Sequence, residues 1–329
     1  MILSRAPFRI SIGGGGTDLP SYYSRFGGFV LGAAITQYVY VYVNRSSIDD
    51  HIRVKYSRAE EVQSVAEIKH DLIRPVLEML GLGSGLEIVS MADLPAGIGL
   101  GSSSTYLVAT LCALLAHKRE HVGTQALAEM ACNVEMNLAQ HPVGKQDHYM
   151  AAFGGFTCMD IDTEGQVKVT QLHLPLSTLD EFRNSVLLFY TGVTRSSHGI
   201  LQAQNADTKQ DNSEVINSLH KTKEIGYRVK DAIERGDLEM FGRLLDEHWQ
   251  NKKLRSNAVS NPDLDEYYRI ARESGAIGGK IMGAGGGGFF MLYCPNGSKP
   301  RLRANLNQAG LRELSYDFDL EGAKVLVNF

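Results

Sequence analysis

Pro95-Ala96-Gly97-Ile98-Gly99-Leu100-Gly101-Ser102-Ser103-Ser104 decides how this chain is read, because it runs without a break into the apolar stretch 105–116. Glycines at alternate positions permit sharp turns and close backbone approach, and the Ser/Thr cluster after them predicts a capped helix start. The first amides of a helix have no partner inside it and lie at the positive end of its dipole, so such a turn can seat phosphate. Hydroxyls of Ser102 to Ser104 can add hydrogen bonds or one Mg²⁺ ligand. A Gly-rich turn ahead of an ordinary buried helix has the same pattern, and this stretch alone does not separate the two readings.

Familiar nucleotide motifs fail at defined positions. Counted from Gly97, the third glycine of G-x-G-x-x-G falls on Ser102, which breaks the dinucleotide fingerprint. Gly144-Lys145 is followed by Gln146 and Gly279-Lys280 by Ile281, so there is no P-loop. The chain has no His-Arg-Asp, and Asp317-Phe318-Asp319 is its nearest approach to the protein-kinase Asp-Phe-Gly.

With 329 residues, 43% hydrophobic and 21% charged, the chain is long enough for two domains with real cores. A net charge of −4 and a pI near 6.2 give no general attraction to nucleic acid or anionic lipid. Cys112, Cys132, Cys158 and Cys294 lack C-x-x-C spacing, so reduced thiols and no zinc are expected. No signal-like region opens the sequence, and glycines and polar residues interrupt the uncharged runs 26–44 and 94–116. A cytoplasmic protein without membrane spans is expected; homo-oligomer formation is left open.

Taken in order, 1–12 reads as a strand carrying Arg9, followed by Gly13-Gly14-Gly15-Gly16-Thr17-Asp18, either a loop that hugs a ligand or a loose turn. Strands are expected at 29–43, 51–56 and 86–91, and a helix at 64–80. Leu127, Met130, Val134 and Leu138 predict the buried face of a helix over 124–138, with Glu129 opposite and Glu135 on the flank. From that flank Glu135 can reach a cleft or simply face water. Asp147, in Gly144-Lys145-Gln146-Asp147, is a candidate base for a substrate hydroxyl or a helix-capping carboxylate. Further strands are expected at 156–160, 167–174 and 186–190, and a turn at 191–198 contains Arg195. The polar segment 205–213 is a lid or an exposed connection; helices follow at 214–235, 238–255 and 262–274. A third glycine cluster at 278–288 leads into a strand at 289–293, and 323–329 reads as a closing strand. That cluster implies a backbone passing close to a ligand, or a tight packing point between domains.

Arg5-Ala6-Pro7-Phe8-Arg9-Ile10 with Gly15-Gly16-Thr17-Asp18, then the 95–104 stretch, then Lys280-Ile281-Met282-Gly283-Ala284 with Gly285 to Gly288, resemble in order the three signatures of the GHMP small-molecule kinases. The resemblance implies an α+β fold: an N-terminal domain like domain 2 of ribosomal protein S5 (1–178) and a ferredoxin-like C-terminal domain (179–329), with the active site between them. It implies ATP bound along Pro95, Gly97, Gly99, Leu100, Gly101, Ser102, Ser103 and Ser104, and Mg²⁺ held by Ser103 and Glu135. Asp147 matches the catalytic aspartate and Arg9 the basic residue paired with it. Gly15, Gly16, Thr17 and Asp18, with Gly285 and Gly286, fall where the family binds substrate. Gly14 to Pro20 looks most like the heptose 7-phosphate kinase branch, which phosphorylates an anomeric hydroxyl of a sugar phosphate, and next like fucokinases. A substrate phosphate needs a cation besides Arg9, and Arg195 is the first choice, with Lys145 second. GHMP-like sugar sensors without activity are the reading from another class.

Overall fold

In the computed structural model, which describes all residues except 194–196 and 257, the strand-forming segments gather into two sheets. The first half contains β1 (Ile2–Gly13), α1 (Pro20–Phe26), β2 (Gly28–Arg45), β3 (Ile52–Lys55), β4 (Ala59–Val62), α2 (Ile73–Leu80), β5 (Leu86–Ala92), α3 (Ser102–Lys118), α4 (Thr124–Cys132), α5 (Gln146–Phe153), β6 (Phe156–Ile161), β7 (Val167–Leu172) and α6 (Leu176–Ser185). The second contains β8 (Val186–Tyr190), α7 (Ser197–Lys209), α8 (Ser213–Glu234), α9 (Leu238–Lys253), α10 (Pro262–Glu273), β9 (Gly278–Ile281), β10 (Phe289–Tyr293), α11 (Lys299–Gln308), β11 (Arg312–Leu314) and β12 (Lys324–Asn328).

β2 is the spine of the first sheet, with alternating Val and Tyr over 38–43 matching the two-residue period of a strand. It pairs antiparallel with β1 along its length, with β6 through Gly28–Ala33 and with β5 through Val39–Arg45. The main path runs β12-β1-β2-β5-β3-β4, with β3 parallel to β5. The last strand therefore returns to the first sheet, and the expected boundary between 178 and 179 falls inside α6. The second sheet has the order β11-β8-β10-β9, antiparallel throughout. Counted within that half it is 4-1-3-2, the ferredoxin-like order that the resemblance implies.

Helix α3, apolar on nearly every side, is buried as such a helix must be, packing on β1 and β2 and against α4 and α5. Trp249 of α9, Tyr268 and Phe290 form an aromatic cluster in the second half. Two local expectations are corrected. The helix expected over 64–80 begins only at Ile73, because Glu60 accepts the amides of Lys69 and His70 and holds that segment out of the helix. The helix expected over 124–138 widens into a π-helical turn at Asn133–Leu138, which leaves Leu138 exposed and turns Glu135 fully inward. Segment 205–213 is helical up to Lys209, and Asn205 accepts a 2.6 Å hydrogen bond from Ser21. Among the described residues no helix is long and apolar enough to cross a membrane.

Candidate active site

All three glycine-rich stretches meet at one cleft of about 880 Å³. What brings them together is backbone contact. A Cβ on Gly99 (φ +82°) would lie 3.1 Å from the carbonyl oxygen of Met282, and one on Gly288 (φ +91°) 2.3 Å from that of Ile98. Second and third clusters thus pack on each other, so the packing-point reading of the third cluster holds as well as the cleft-lining one.

Gly101 stands at the N-cap of α3 in the left-handed region, and Ser102 to Ser104 form the first turn. The expected capping serines are therefore inside the helix rather than ahead of it. No side chain caps this end, which leaves first-turn amides available to an anion. Pro95, Gly97, Gly99, Gly101, Ser102, Ser103 and Ser104 line the cleft, while Leu100 is buried beneath it and accepts the Arg9 amide through its carbonyl at 3.3 Å.

Arg9 comes from β1 and Asp147 from the first turn of α5, 138 residues apart in sequence. The Arg9 guanidinium donates through Nε to Asp147 Oδ1 at 2.6 Å and through Nη2 to Oδ2 at 2.8 Å, a bidentate pair. Its Nη1 donates to the Gly99 carbonyl at 2.9 Å, which locks the pair to the second glycine stretch. Arg9 is 3% exposed and Asp147 22%, so the carboxylate is the member that faces the cleft.

Gly15, Gly16 and Asp18 line the cleft too. Asp18 accepts from the amides of Gly16 and Gln146, both at 3.0 Å, and so ties the first glycine loop to the start of α5. Burial pushes its carboxyl up, with the charge of Asp147 adding to the effect and the Gln146 and Gly16 amides opposing it. Thr17 is a correction: it is fully buried, its hydroxyl donating to the carbonyls of Gly14 and Phe29 and accepting the Phe29 amide, so it shapes the loop instead of touching substrate. Gly285 lines the cleft but Gly286 does not; its amide is spent on the Val259 carbonyl at 2.8 Å. Arg195 lies outside the described residues. Lys145 is bound to Glu129 at 2.8 Å and to the Gly165 carbonyl at 2.7 Å, away from the cleft.

Ser103 opens to the cleft. Glu135 is 0% exposed, and its Oε2 accepts from Ser104 and His148, both at 2.7 Å, with His141 Nδ1 3.6 Å from Oε1. Burial alone would raise its pKa, but hydrogen bonds from His141 and His148 and the charge of His148 hold it well below the usual carboxylate range. Towards Mg²⁺, Oε2 is taken by Ser104 and His148, whereas Oε1 is buried without a hydrogen bond of ordinary length, and Glu135 does not itself line the cleft.

Sequence reading missed four basic side chains on the cleft wall: His248, Lys252, Arg255 and Lys280. The signal was available for two of them. Leu238, Phe241 and Leu245 set a three-then-four spacing on α9, and His248 and Lys252 continue it, so the buried stripe changes from apolar to basic; Arg255 follows in the turn after the helix and Lys280 comes from β9.

Comparison with known proteins accords with this geometry. The GHMP kinases N terminal domain model matches residues 65–155 and the GHMP kinases C terminal model residues 229–311. The chain is 28% identical over 338 residues to the D-glycero-alpha-D-manno-heptose 7-phosphate kinase of Campylobacter jejuni, covering 98% of each. It is 30% identical over 226 residues to the mevalonate kinase of Methanothermobacter thermautotrophicus, covering 68% of this chain and 70% of that one. The crystal structure of a D-glycero-D-manno-heptose 1-phosphate kinase from Bacteroides thetaiotaomicron is similar at TM-score 0.82 and 27% identity, over 100% of both chains. An α+β fold with three signatures around one cleft, and these matches along nearly its full length, make the chain a member of the GHMP kinases, ATP-dependent phosphotransferases.

Proposed function

We propose that the protein transfers the γ-phosphoryl group of ATP to the anomeric hydroxyl of D-glycero-D-manno-heptose 7-phosphate, giving the 1,7-bisphosphate. The observation that carries this reading is the Arg9–Asp147 pair, set at the start of α5 and bound to the carbonyl of Gly99 within the phosphate-seating stretch.

ATP supplies the transferable phosphoryl group, and its phosphates suit the uncapped first turn of α3. At the same wall of the cleft Tyr56, His70, Leu94 and Tyr106 offer ring and apolar surface for the base. On the acceptor side, Asp18, Gly15 and Gly16 border the place where the sugar would sit. Each Asp147 oxygen accepts from Arg9 and keeps a lone pair for the anomeric O–H, so Asp147 orients that hydroxyl and takes its proton as the new O–P bond forms and the bridging O–P bond to ADP breaks. Arg9 holds the Asp147 carboxylate in place and adds positive charge beside the oxygens of the group in transfer. Ser103 is the side chain open to a phosphate-bound Mg²⁺, which would offset charge on the ATP phosphates.

An ADP-release assay with ATP and Mg²⁺, run on heptose 7-phosphate, unphosphorylated heptose and fucose, tests the reading. Turnover is expected to be fastest with heptose 7-phosphate. Activity on fucose and none on heptose 7-phosphate would refute it, and binding of a sugar without turnover of any would favour a sensor.

A further inference from the structure

His248, Lys252, Arg255 and Lys280 are between 1% and 8% exposed, yet among the described residues none of them forms an ion pair. Their partners are neutral. Lys252 Nζ donates to the carbonyls of Ile281 at 3.1 Å and Gly283 at 2.6 Å. Arg255 donates through Nε to the Ser218 hydroxyl at 3.1 Å, through Nη2 to the Thr222 hydroxyl and through Nη1 to the Gly15 carbonyl at 3.5 Å. Lys280 Nζ lies 3.4 Å from His248 Nδ1. Carboxylates of the cleft are engaged elsewhere: Asp147 by Arg9, Asp18 by the Gln146 amide and side chain, Asp93 by the Tyr38 amide.

Gathering like charges in a dry wall without a counter-ion opposes folding, and a buried charge is ordinarily paired. Burial, and then the charges of Arg255 and Arg9, pull the Lys252 ammonium down to about 7, while burial and the neighbouring cations pull Lys280 and His248 well below their ordinary values. The arrangement makes physical sense once a dianion is added, because it supplies the missing countercharge and lets the lysines hold their protons. Its position says which anion. Arg255 reaches the Gly15 carbonyl, and a Cβ on Gly16 would lie 3.0 Å from its Nη1, so the cluster adjoins the first glycine loop on the acceptor side.

We propose that Lys252, Arg255 and Lys280, with His248 accepting from Lys280, bind a phosphate monoester carried by the acceptor, so that the enzyme selects sugars already phosphorylated at a carbon remote from the reacting hydroxyl. This rests on the sugar-kinase reading above and gives the phosphate a seat that does not involve Arg195.

The test uses the 329-residue chain and two charge-removing variants, Lys280→Met and Arg255→Met. Loss of one charged contact is expected to raise KM for heptose 7-phosphate by about 10- to 100-fold. KM for ATP should stay within about twofold, and the KM advantage of phosphorylated over unphosphorylated heptose should shrink by the same factor. An unchanged KM for heptose 7-phosphate in both variants overturns the proposal, as does an equal rise in KM for ATP, which would assign the cluster to the nucleotide. Lys280→Met loses only the contact to His248 and should not lower the melting temperature of the unliganded protein, whereas Arg255→Met also loses the bonds to Ser218, Thr222 and Gly15 and is expected to lower it. Calorimetric titration of inorganic phosphate gives an arm that needs no turnover. Binding by the unmutated protein that is lost in Lys280→Met supports the cluster even if heptose 7-phosphate proves not to be the substrate. Equal binding by both, or none by either, overturns it while leaving the sugar-kinase reading standing.

Discussion

Replacing Asp147 with Asn separates what the carboxylate does for chemistry from what it does for the fold. Asn keeps one acceptor oxygen but turns an NH₂ group towards a guanidinium that already donates at 2.6 and 2.8 Å, so one of the two bonds becomes donor against donor. A charge-assisted hydrogen bond contributes about 1.5–3 kcal/mol, and the lower end applies because Asp147 is 22% exposed and partly screened. Arg9 stays buried with the Gly99 carbonyl and one amide oxygen, so a fall in melting temperature of several degrees is expected. The pair therefore also supports the fold, joining β1 to α5. On the chemical side an amide cannot take the hydroxyl proton, and loss of general-base help lowers kcat by about 10²–10⁴-fold. With saturating ATP and sugar phosphate, ADP release should show that fall while KM for ATP changes little. A kcat within about threefold of the unmutated enzyme would remove Asp147 from the mechanism, whatever the melting curve shows.

Two further substitutions follow from the same geometry. Lys252→Met should change how stability depends on pH: between pH 7 and 10 the unfolded chain binds a proton that the folded one lacks, so stability rises with pH and the cost of burying the charge is fully present only below about 7. In urea unfolding the advantage of the Met variant should shrink by up to about 1.4 kcal/mol per pH unit above 7, and a pH-independent difference would refute it. Gly99→Ala should lower the melting temperature, since its φ of +82° and the Met282 carbonyl 3.1 Å from the new Cβ both oppose a side chain, and an unchanged melting curve would count against the packed glycine clusters.

The spine of the first sheet could be read from periodicity because β2 runs from Gly28 to Arg45 as one element whose second half alternates Tyr and Val, whereas short strands such as β4, β9 and β11 leave no such pattern. What could not be read this way were features set by distant partners. The start of α2 at Ile73 depends on Glu60, which is far enough away in sequence that no local propensity records it. The π turn at Asn133–Leu138 shifts the helical phase by one residue, and a wheel drawn at 3.6 residues per turn puts Leu138 inside and Glu135 on the flank, the reverse of their places. Thr17 shares the polarity of its neighbour Asp18, and only the carbonyls of Gly14 and Phe29 reveal that its hydroxyl is already satisfied.

The glycine clusters and the basic cluster illustrate two kinds of signal. Glycine at 99, 283 and 288 is required twice over, by positive φ and by backbones approaching to about 2–3 Å of where a Cβ would stand, so the constraint is written into the sequence as an unusual composition. Lys252, Arg255 and Lys280 are common residues, and a lysine in a helical pattern is normally read as solvent-facing. For Lys252 the meaning comes from phase: positions 248 and 252 extend the stripe of 238, 241 and 245, so a charge appears where the helix is turned inward, while Arg255 in the turn after α9 and Lys280 on β9 carry no such helical signal. An inward-facing cation without a carboxylate partner leaves the folded state short of a countercharge, and a binding site can supply one from its ligand. Selectivity and stability would then come from the same groups: an uncharged acceptor leaves the cluster unneutralised, whereas a phosphorylated one supplies the missing charge. Discrimination between the two would follow from the free energy of that buried charge rather than from contacts to the sugar ring.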